Sequence, residues 1–381
     1  MQMRMPGSLI GRRWRRGVVV GLALAGGLGG LAAWSSRDPS PPRATFRGPE
    51  ASRPQGFAPD GRTVLTSGPE GVVAWDAATW RARPPWALRA FKIAAFSRDG
   101  RTCLGEHGYD PESAKLCRVD VATGAILDTF AAGQPQVYHL DFGAGDGSAR
   151  ALLADRSGKL REAVAWDLAT GAATRRPLLG PTRLGWYEPF PAGVAPGGRV
   201  VGYVAKAPDG VQLWDVEADA AIGPPLVNPG APLAWHGNAL AFSPDGTRLA
   251  VAREDGAIDL WDLPARARVA TIVAHAAGIS PQDLHFAPDG RTLASTGSYR
   301  RPTGWVDRSA VALRALAFGG NPALPGDGVV VVDVATGRRL ARWPTAFQPR
   351  FAPDGRSIVT HESWDGTFAV RDAPTSPNRQ D

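Results

Sequence analysis

The side chains able to do acid–base, metal or nucleophilic chemistry are few in this sequence, and they lie far apart along it. There are two cysteines, Cys103 and Cys117, and six histidines, at positions 107, 139, 236, 275, 285 and 361. Spacings that would gather such groups do not occur: there is no Gly-x-Ser-x-Gly, His-Glu-x-x-His, phosphate-binding loop, calcium loop or Cys-x-x-Cys. The glycine-rich run at 143–147 has a turn pattern and no helix after it. We therefore predict no catalytic residues, no metal ligands and no cofactor.

The two cysteines fall on predicted neighbouring strands. The register implied by the best-defined repeat, described next, places Cys103 opposite Arg118, one residue away from Cys117. A slip of one residue would bring the sulfurs face to face or onto opposite sides of the sheet. A disulfide and two separate buried thiols therefore both remain open. Neither cysteine has the partner residues of a catalytic nucleophile.

The element that positions these residues is a repeat, seen most clearly at 239–263. This stretch has three short β-type runs, at 239–243, 248–252 and 257–262, separated by Asp245-Gly246 and Asp255-Gly256. Asp-Gly between apolar runs is a strong hairpin signal, because glycine adopts positive φ without steric cost. The stretch therefore predicts a three-stranded antiparallel meander. A meander of this size cannot bury both of its faces alone, and it must pack against copies of itself.

Seven such units occur along the chain. Each has an apolar residue before a Pro-Asp-Gly-like turn, followed later by a Trp-Asp-like pair; the pairs begin at Trp75, Val119, Trp166, Trp214, Trp261, Val332 and Arg371. The first five pairs are 44 to 48 residues apart. We interpret the tryptophans as wedges between units and the turn aspartates as structural, since seven copies in seven separate units cannot converge on one substrate.

The motifs FSPDG at 242–246, FAPDG at 57–61 and WDLATG at 166–171 resemble those of WD40-type β-propellers, in their divergent bacterial form. The resemblance covers about residues 43–373. It implies an all-β fold of seven four-stranded antiparallel blades. In that family a Gly-His pair precedes the first strand and its histidine bonds to a turn aspartate. Here only Ala274-His275 stands near that place, so the family's hydrogen-bonded network is mostly missing.

The ends of the repeat region predict how the ring closes. The seventh unit has no outer strand of its own, because only nine residues follow Asp372 and two of them are proline. An uncovered strand edge promotes aggregation. We predict that residues 44–47 supply the missing strand, as amino-terminal segments do in the family resembled. The propeller then spans 44–373, with an insertion at 297–328 in unit six and a tail at 374–381.

The first forty residues differ from the rest. A basic segment at 1–16 precedes an apolar run at 17–34 and a Pro/Ser/Arg linker at 35–43. Eighteen residues of helix reach roughly 27 Å, barely a bilayer core. The arginines before the run favour a cytoplasmic amino terminus and an extracytoplasmic propeller. The run is either a transmembrane signal anchor, placing the protein in the cell membrane, or a cleaved signal peptide, making it periplasmic or secreted.

Charge gives no sign of a nucleic-acid partner. The net charge is +7, but residues 1–37 carry six arginines and no acid, which leaves +1 for the other 344 residues. A nearly neutral body lacks the excess of basic residues that a nucleic-acid-binding face requires. We expect a monomer that binds a protein or peptide and touches the membrane only through 17–34.

The remaining signal is an aromatic and arginine-rich set on the connections of units four to six. These connections emerge on one face of a propeller, and such residues are typical of binding hot spots. The candidate partner-binding residues are Trp186, Tyr187, Trp235, His236, Tyr299, Arg300, Arg301, Trp305 and Arg308. The competing interpretation is that Trp186 and Trp235 pack in the core and that 310–318 is a helical lid.

We therefore expect a non-catalytic extracytoplasmic interaction scaffold. The alternative is an exported enzyme, such as a lyase, glycosidase or quinone-dependent dehydrogenase, with its site in the central funnel. That alternative requires acid, base or metal groups from several blades, or carboxylates of perturbed pKa, to meet at the axis.

Overall fold

A computed structural model describes residues 41–86, 88, 91–108, 115–130, 136–155, 160–178, 192–206, 209–227, 232–234, 239–276, 279–299, 328–363 and 365–375. The predicted amino-terminal helix at 17–34 and the tail beyond residue 375 lie outside these ranges. Within them, no helix has the length and apolar character of a membrane span.

The described chain forms seven antiparallel sheets, each one blade of a propeller, as predicted. Blade one contains β2 (Arg53–Phe57), β3 (Thr63–Gly68) and β4 (Gly71–Asp76). Blade two contains β5 (Phe91–Phe96), β6 (Thr102–His107), β7 (Lys115–Asp120) and β8 (Ile126–Phe130). Blade three contains β9 (Gln136–Phe142), β10 (Ser148–Ala154), β11 (Leu160–Asp167) and β12 (Ala173–Pro177), with a 3-10 turn at Ala144–Asp146. Blade four contains β13 (Ala192–Val194), β14 (Val200–Lys206), β15 (Asp209–Asp215), β16 (Ala220–Ala221) and β17 (Leu226–Val227). Blade five contains β18 (Leu240–Phe242), β19 (Arg248–Ala252), β20 (Ala257–Asp262) and β21 (Ala267–Val273). Blade six contains β22 (Ile279–Phe286), β23 (Thr292–Tyr299), β24 (Gly328–Asp333) and β25 (Arg339–Trp343). Blade seven contains β26 (Phe347–Phe351), β27 (Ser357–Ser363) and β28 (Thr367–Asp372), and β1 (Ala44–Arg47) is its fourth strand.

The outer edges of two blades are less regular than predicted. In blade one the described residues of the outer segment pair through two isolated bridges, Trp75 with Ala82 and Val72 with Trp86. In blade four the outer strand is split into β16 and β17, both paired with β15. The proline-rich sequences Arg83-Pro84-Pro85 and Gly223-Pro224-Pro225 occupy these places. Proline lacks the N–H that a ladder needs, which accounts for both interruptions.

The ring closes as predicted, through β1. This strand pairs antiparallel with β28, from Ala44 opposite Val370 to Arg47 opposite Thr367. The N–H of Arg43 continues the ladder to the carbonyl of Val370 at 2.7 Å. Blade seven is therefore built from both ends of the repeat region, and its edge is covered.

Apolar clusters fill the spaces between neighbouring blades. The predicted wedge tryptophans Trp75, Trp166 and Trp261 are 3–6% exposed and lie in three different clusters. Trp214, in blade four, is only partly buried, and its indole N–H has no acceptor among the described residues. Three of the four tryptophans therefore act as predicted, while the junction between blades three and four differs from the others.

The two cysteines are free and fully buried. The register extrapolated for them is wrong by one residue: Cys103 lies opposite Val119, and Cys117 lies opposite Gly105. This register puts both thiols and Val119 in the apolar cluster that packs against blade one, and a slip of one residue would turn a strand's side chains to the opposite face. Of the two possibilities, separate buried thiols is the one observed.

Pro-Asp-Gly turns connect adjacent blades as well as strands. A Cβ placed on Gly246, Gly290 or Gly355 would lie 3.7 to 4.0 Å from a proline Cδ of the preceding blade's turn. Blade two has Arg98 in the place of that proline. Its free N–H donates to Asp146 of blade three at 2.7 Å. The turn thus adds contacts between blades at the hub, whichever residue precedes its aspartate.

Candidate functional site

The predicted partner-binding residues lie almost entirely outside the described chain. Only Tyr299 has a described backbone, and it ends β23 opposite Ile279 rather than lying in the insertion. The insertion is therefore shorter than 297–328, since β23 continues to Tyr299 and β24 begins at Gly328. The other eight residues, Trp186, Tyr187, Trp235, His236, Arg300, Arg301, Trp305 and Arg308, are not described, so their grouping stays a prediction.

The opposite face of the propeller contains the turns between first and second strands and those between third and outer strands. Every one of these turns lies within the described residues. In the second group, Asp76, Asp120, Asp167 and Asp333 each accept two hydrogen bonds from the threonine three residues later, one from its N–H and one from its hydroxyl.

These bonds favour the ionised carboxylate. For Asp76 and Asp167 they lower the pKa below its ordinary value, with the threonine N–H as the largest cause. In the first group of turns, Asp245 accepts from Ser243 and Thr247, and its pKa is lowered to about 2. The predicted structural role of the turn aspartates is confirmed. Their carboxylate oxygens accept hydrogen bonds from residues of their own turns.

A channel of about 580 Å³ lies at the hub, between the first strands of blades two to six. Most of its lining is apolar or small, as with Gly193 and Ala241 in blades four and five. Its ionisable lining residues are Lys92, Glu106, Tyr138, His139 and His285. Burial lowers the pKa of both histidines, so their imidazoles are neutral at neutral pH.

β-Bulges interrupt the first strands of five blades. The register shifts between Pro54 and Gly56, Ile93 and Ala95, Leu152 and Leu153 opposite β9, Gln282 and His285, and Phe347 and Arg350. A bulge bends its strand and changes the direction of the side chains that follow. In blade six the bulge includes Asp283 at φ 48°, a left-handed conformation that non-glycine residues rarely adopt.

The bulges of blades six and seven bring three ionisable side chains together. The guanidinium of Arg350 donates to Nε2 of His285 at 2.6 Å and to the carbonyl of Pro349 at 2.8 Å. Burial raises the pKa of the nearby Asp283 carboxyl, an effect that Arg350 and Arg53 oppose. Burial and Arg350 hold the pKa of His285 well below its ordinary value. This hub cluster of Asp283, His285 and Arg350 links two blades and combines a carboxyl of raised pKa with a neutral imidazole.

Sequence analysis missed the hub cluster, although a signal for it existed. The position directly before the repeated aromatic residue is Ala95 in unit two and Ala241 in unit five, but it is His285 in unit six and Arg350 in unit seven. Because these positions share a place in the first strand, charged residues there face related parts of the hub.

The other described histidines lie elsewhere. His275, the residue compared with the family's Gly-His pair, is 1% exposed, and its Nε2 shares a 2.8 Å hydrogen bond with the hydroxyl of Ser295. His361 packs between Phe347 and Phe368. Among the residues that the structure describes, no three His, Cys, Asp or Glu side chains are placed to share a metal ion.

Comparison with known proteins agrees with this architecture. The family model of the WD40 repeat, described as WD domain, G-beta repeat, matches residues 235–262. The match includes β18, β19 and β20 of blade five, the same stretch in which the repeat is clearest. No curated protein matches the chain.

Proposed function

Because this chain is a β-propeller of the WD40 type, we propose that it is a non-catalytic scaffold that binds a protein or peptide through the connecting loops of blades four to six. WD40 domains commonly bind protein partners, and their propellers are generally non-enzymatic. The observation that carries the proposal is the division between the two faces. Hydrogen-bonded turns fix one face, whereas the connections on the other face vary in length and contain the aromatic and arginine residues.

The proposed binding surface consists of Trp186, Tyr187, Trp235, His236, Tyr299, Arg300, Arg301, Trp305 and Arg308. Large rigid aromatic groups and guanidinium groups provide most of the energy at protein interfaces. Blades four, five and six are neighbours, so their connections emerge side by side. We place this surface outside the cytoplasm, on a monomer held by 17–34 or released after cleavage, because five arginines precede that apolar run.

The test compares partner recovery from a membrane extract by the full chain and by a chain lacking 301–326. This deletion leaves β23 and β24 intact. A second variant, Trp305→Ser with Arg308→Ser, removes side chains without shortening the connection. The matched control is Arg62→Ser with Arg356→Ser, two arginines on the turn face.

We expect the deletion and the loop substitutions to lose the partner and the control to keep it. Equal recovery by all four proteins would refute the assigned surface. A urea transition at an unchanged midpoint shows that each variant is folded.

The hub cluster favours a second candidate function, an exported enzyme with its site in the central funnel. A carboxyl of raised pKa near a neutral imidazole is a combination that acid–base catalysis uses. The test is to assay the full chain on polysaccharide lyase and glycosidase substrates and with a quinone acceptor, alongside Asp283→Asn. Turnover that Asp283→Asn abolishes would support the enzyme. If no turnover is detected and the scaffold test succeeds, the cluster serves to join blades six and seven.

A further inference from the structure

We infer that the groove between blades three and four, on the turn face, binds an acidic side chain of a partner peptide. The groove encloses about 240 Å³ and is bordered by one face of blade three and by the two turns of blade four. It lies on the face opposite the proposed binding surface, so its test does not depend on the function proposed above.

The first observation is a missing carboxylate. In five blades an aspartate of the first turn accepts the N–H two residues later; these aspartates are Asp60, Asp99, Asp245, Asp289 and Asp354. Blade four keeps the backbone bonds of that turn, from Ala195 to Val200 and from Gly198 to Ala195, but has Gly197 in the place of the aspartate. No side-chain carboxylate accepts the N–H of Arg199 within the described chain. The turn therefore lacks the acid that its counterparts contain, and Gly197, Gly198 and Arg199 line the groove.

The second observation is the space itself. Two cross-strand rows of blade three face the groove: Asp141, Arg150, Ala165 and Thr174 in one, and His139, Leu152, Ala163 and Arg176 in the other. At the positions one and three residues before the Trp-Asp pair, blade three has Ala165 and Ala163, whereas blade five has the fully buried Leu260 and Ile258. Small side chains on this floor leave room that larger residues fill in blade five.

The third observation is the charge that lines the groove. Arg176 donates to the carbonyls of Val216 and Glu217, and Arg150 donates to the carbonyl of Phe142. Neither guanidinium forms a salt bridge among the described residues. His139 adds a buried Nε2 with no hydrogen-bond partner in the described chain, 3.9 Å from the carboxylate of Asp141.

The acids of the groove are already engaged. Asp141, opposite Arg150 across the strand pair, accepts the N–H of Phe142 at 2.7 Å. Glu217 pairs with the guanidinium of Arg199 at 3.4 Å, and Arg199 also pairs at 2.9 Å with Asp215, which is not a lining residue. The lining residues include three arginines, Arg150, Arg176 and Arg199, against two acids, Asp141 and Glu217, so the lining has one positive charge in excess, and a carboxylate is its complement. The groove runs from the hub to the outer strand β12, a shape that suits the side chain of an extended peptide.

The experiment measures fluorescence anisotropy of a labelled peptide, Gly-Ser-Glu-Glu-Glu-Ser-Gly, with the full chain. The same peptide with glutamine in place of glutamate serves as the ligand control. The charge variant is Arg150→Gln with Arg176→Gln. Its matched control is Arg175→Gln, which removes the same charge from the other face of β12, where Arg175 pairs with Glu162. Ala165→Leu fills the groove and leaves every charge in place.

We expect the glutamate peptide to bind at least about tenfold more tightly than the glutamine peptide, because charge-assisted hydrogen bonds are lost with the carboxylates. The charge variant and Ala165→Leu should each weaken binding by about tenfold, while Arg175→Gln stays within about twofold. Succinate is the added competitor. Competition at millimolar succinate agrees with a carboxylate site, but tighter binding of succinate than of the peptide would overturn the peptide as occupant. Equal binding of the two peptides, or equal binding by the charge variant and Arg175→Gln, would overturn the site.

Discussion

A chain that begins at Glu50 lacks β1 but keeps every other strand, and we expect it to be much less stable than a chain that begins at Pro41. Both lack the residues before the propeller, so their difference isolates the closing strand. Without β1, the outer edge of β28 loses its ladder, and Phe368 and Val370, which are 0% exposed, lose their cover.

The magnitude follows from the side chain of Phe46. It is 7% exposed, and its ring centroid lies 4.6 Å from Trp75, 5.2 Å from Trp80 and 5.1 Å from Phe368. Removing such a core phenylalanine side chain costs about 3–5 kcal/mol. Each backbone hydrogen bond of the ladder adds about 0.5–1.5 kcal/mol. The free energy of unfolding should therefore fall by more than about 4 kcal/mol, a large fraction of the 5–15 kcal/mol typical of folded proteins.

The assay is urea denaturation followed by tryptophan fluorescence, because Trp75 and Trp80 lie directly beneath the strand. Phe46→Ala in the full chain should give about 3–5 kcal/mol of the loss by itself. Equal urea midpoints for the chains that begin at Pro41 and at Glu50 would refute closure by β1. A full loss on truncation with none for Phe46→Ala would assign the stability to the ladder alone.

Three further perturbations test other parts of the ring. Arg371, which replaces the tryptophan of unit seven, is 6% exposed and donates to Glu362 at 2.7 and 3.0 Å. Arg371→Met should cost about 3–5 kcal/mol in urea denaturation, because it leaves the partly buried Glu362 carboxylate without its ion-pair partner. A cost below about 1 kcal/mol would contradict this. Burial lowers the pKa of His361 from an ordinary 6.5 to about 4, so between these pH values the unfolded chain binds more protons than the folded chain. Lowering the pH through that window should therefore reduce the free energy of unfolding, by about 3 kcal/mol from this residue. His361→Gln should flatten this pH dependence, and an identical slope would refute the assignment. Burial raises the pKa of Cys103 to about 12, and burial also raises the pKa of Cys117 above its ordinary value. A thiol reagent at pH 8 should therefore modify neither cysteine until urea unfolds the chain, whereas rapid labelling without urea would contradict the buried pair.

Much of the fold could be predicted because its signals are local. The three strands of blade five were expected at 239–243, 248–252 and 257–262, and they are Leu240–Phe242, Arg248–Ala252 and Ala257–Asp262. Asp-Gly turns fix where such strands end, and alternation fixes which face is apolar. The register around the cysteines was missed because the longer connection at 108–114 does not set it locally.

The hub cluster and the groove between blades three and four were less accessible to sequence analysis. His285 and Arg350 are 65 residues apart, and bulges in two separate strands aim them at each other. Arg371 illustrates the same point: a charged residue at a tryptophan position appeared as a lost motif, yet it bonds to Thr360 as Trp75 bonds to the equivalent Thr66.

The sequence by itself determined the number of blades, their antiparallel meanders, the structural use of the turn aspartates and the closing role of residues 44–47. Each of these depends on the conformational preferences of a few adjacent residues or on the need to cover one strand edge. Only the tertiary structure decided which side chains meet between blades, which carboxylates are already engaged and where a groove stays open. Those outcomes depend on the register of every strand and on the volume of side chains in two different repeats, and ring closure sets both at once.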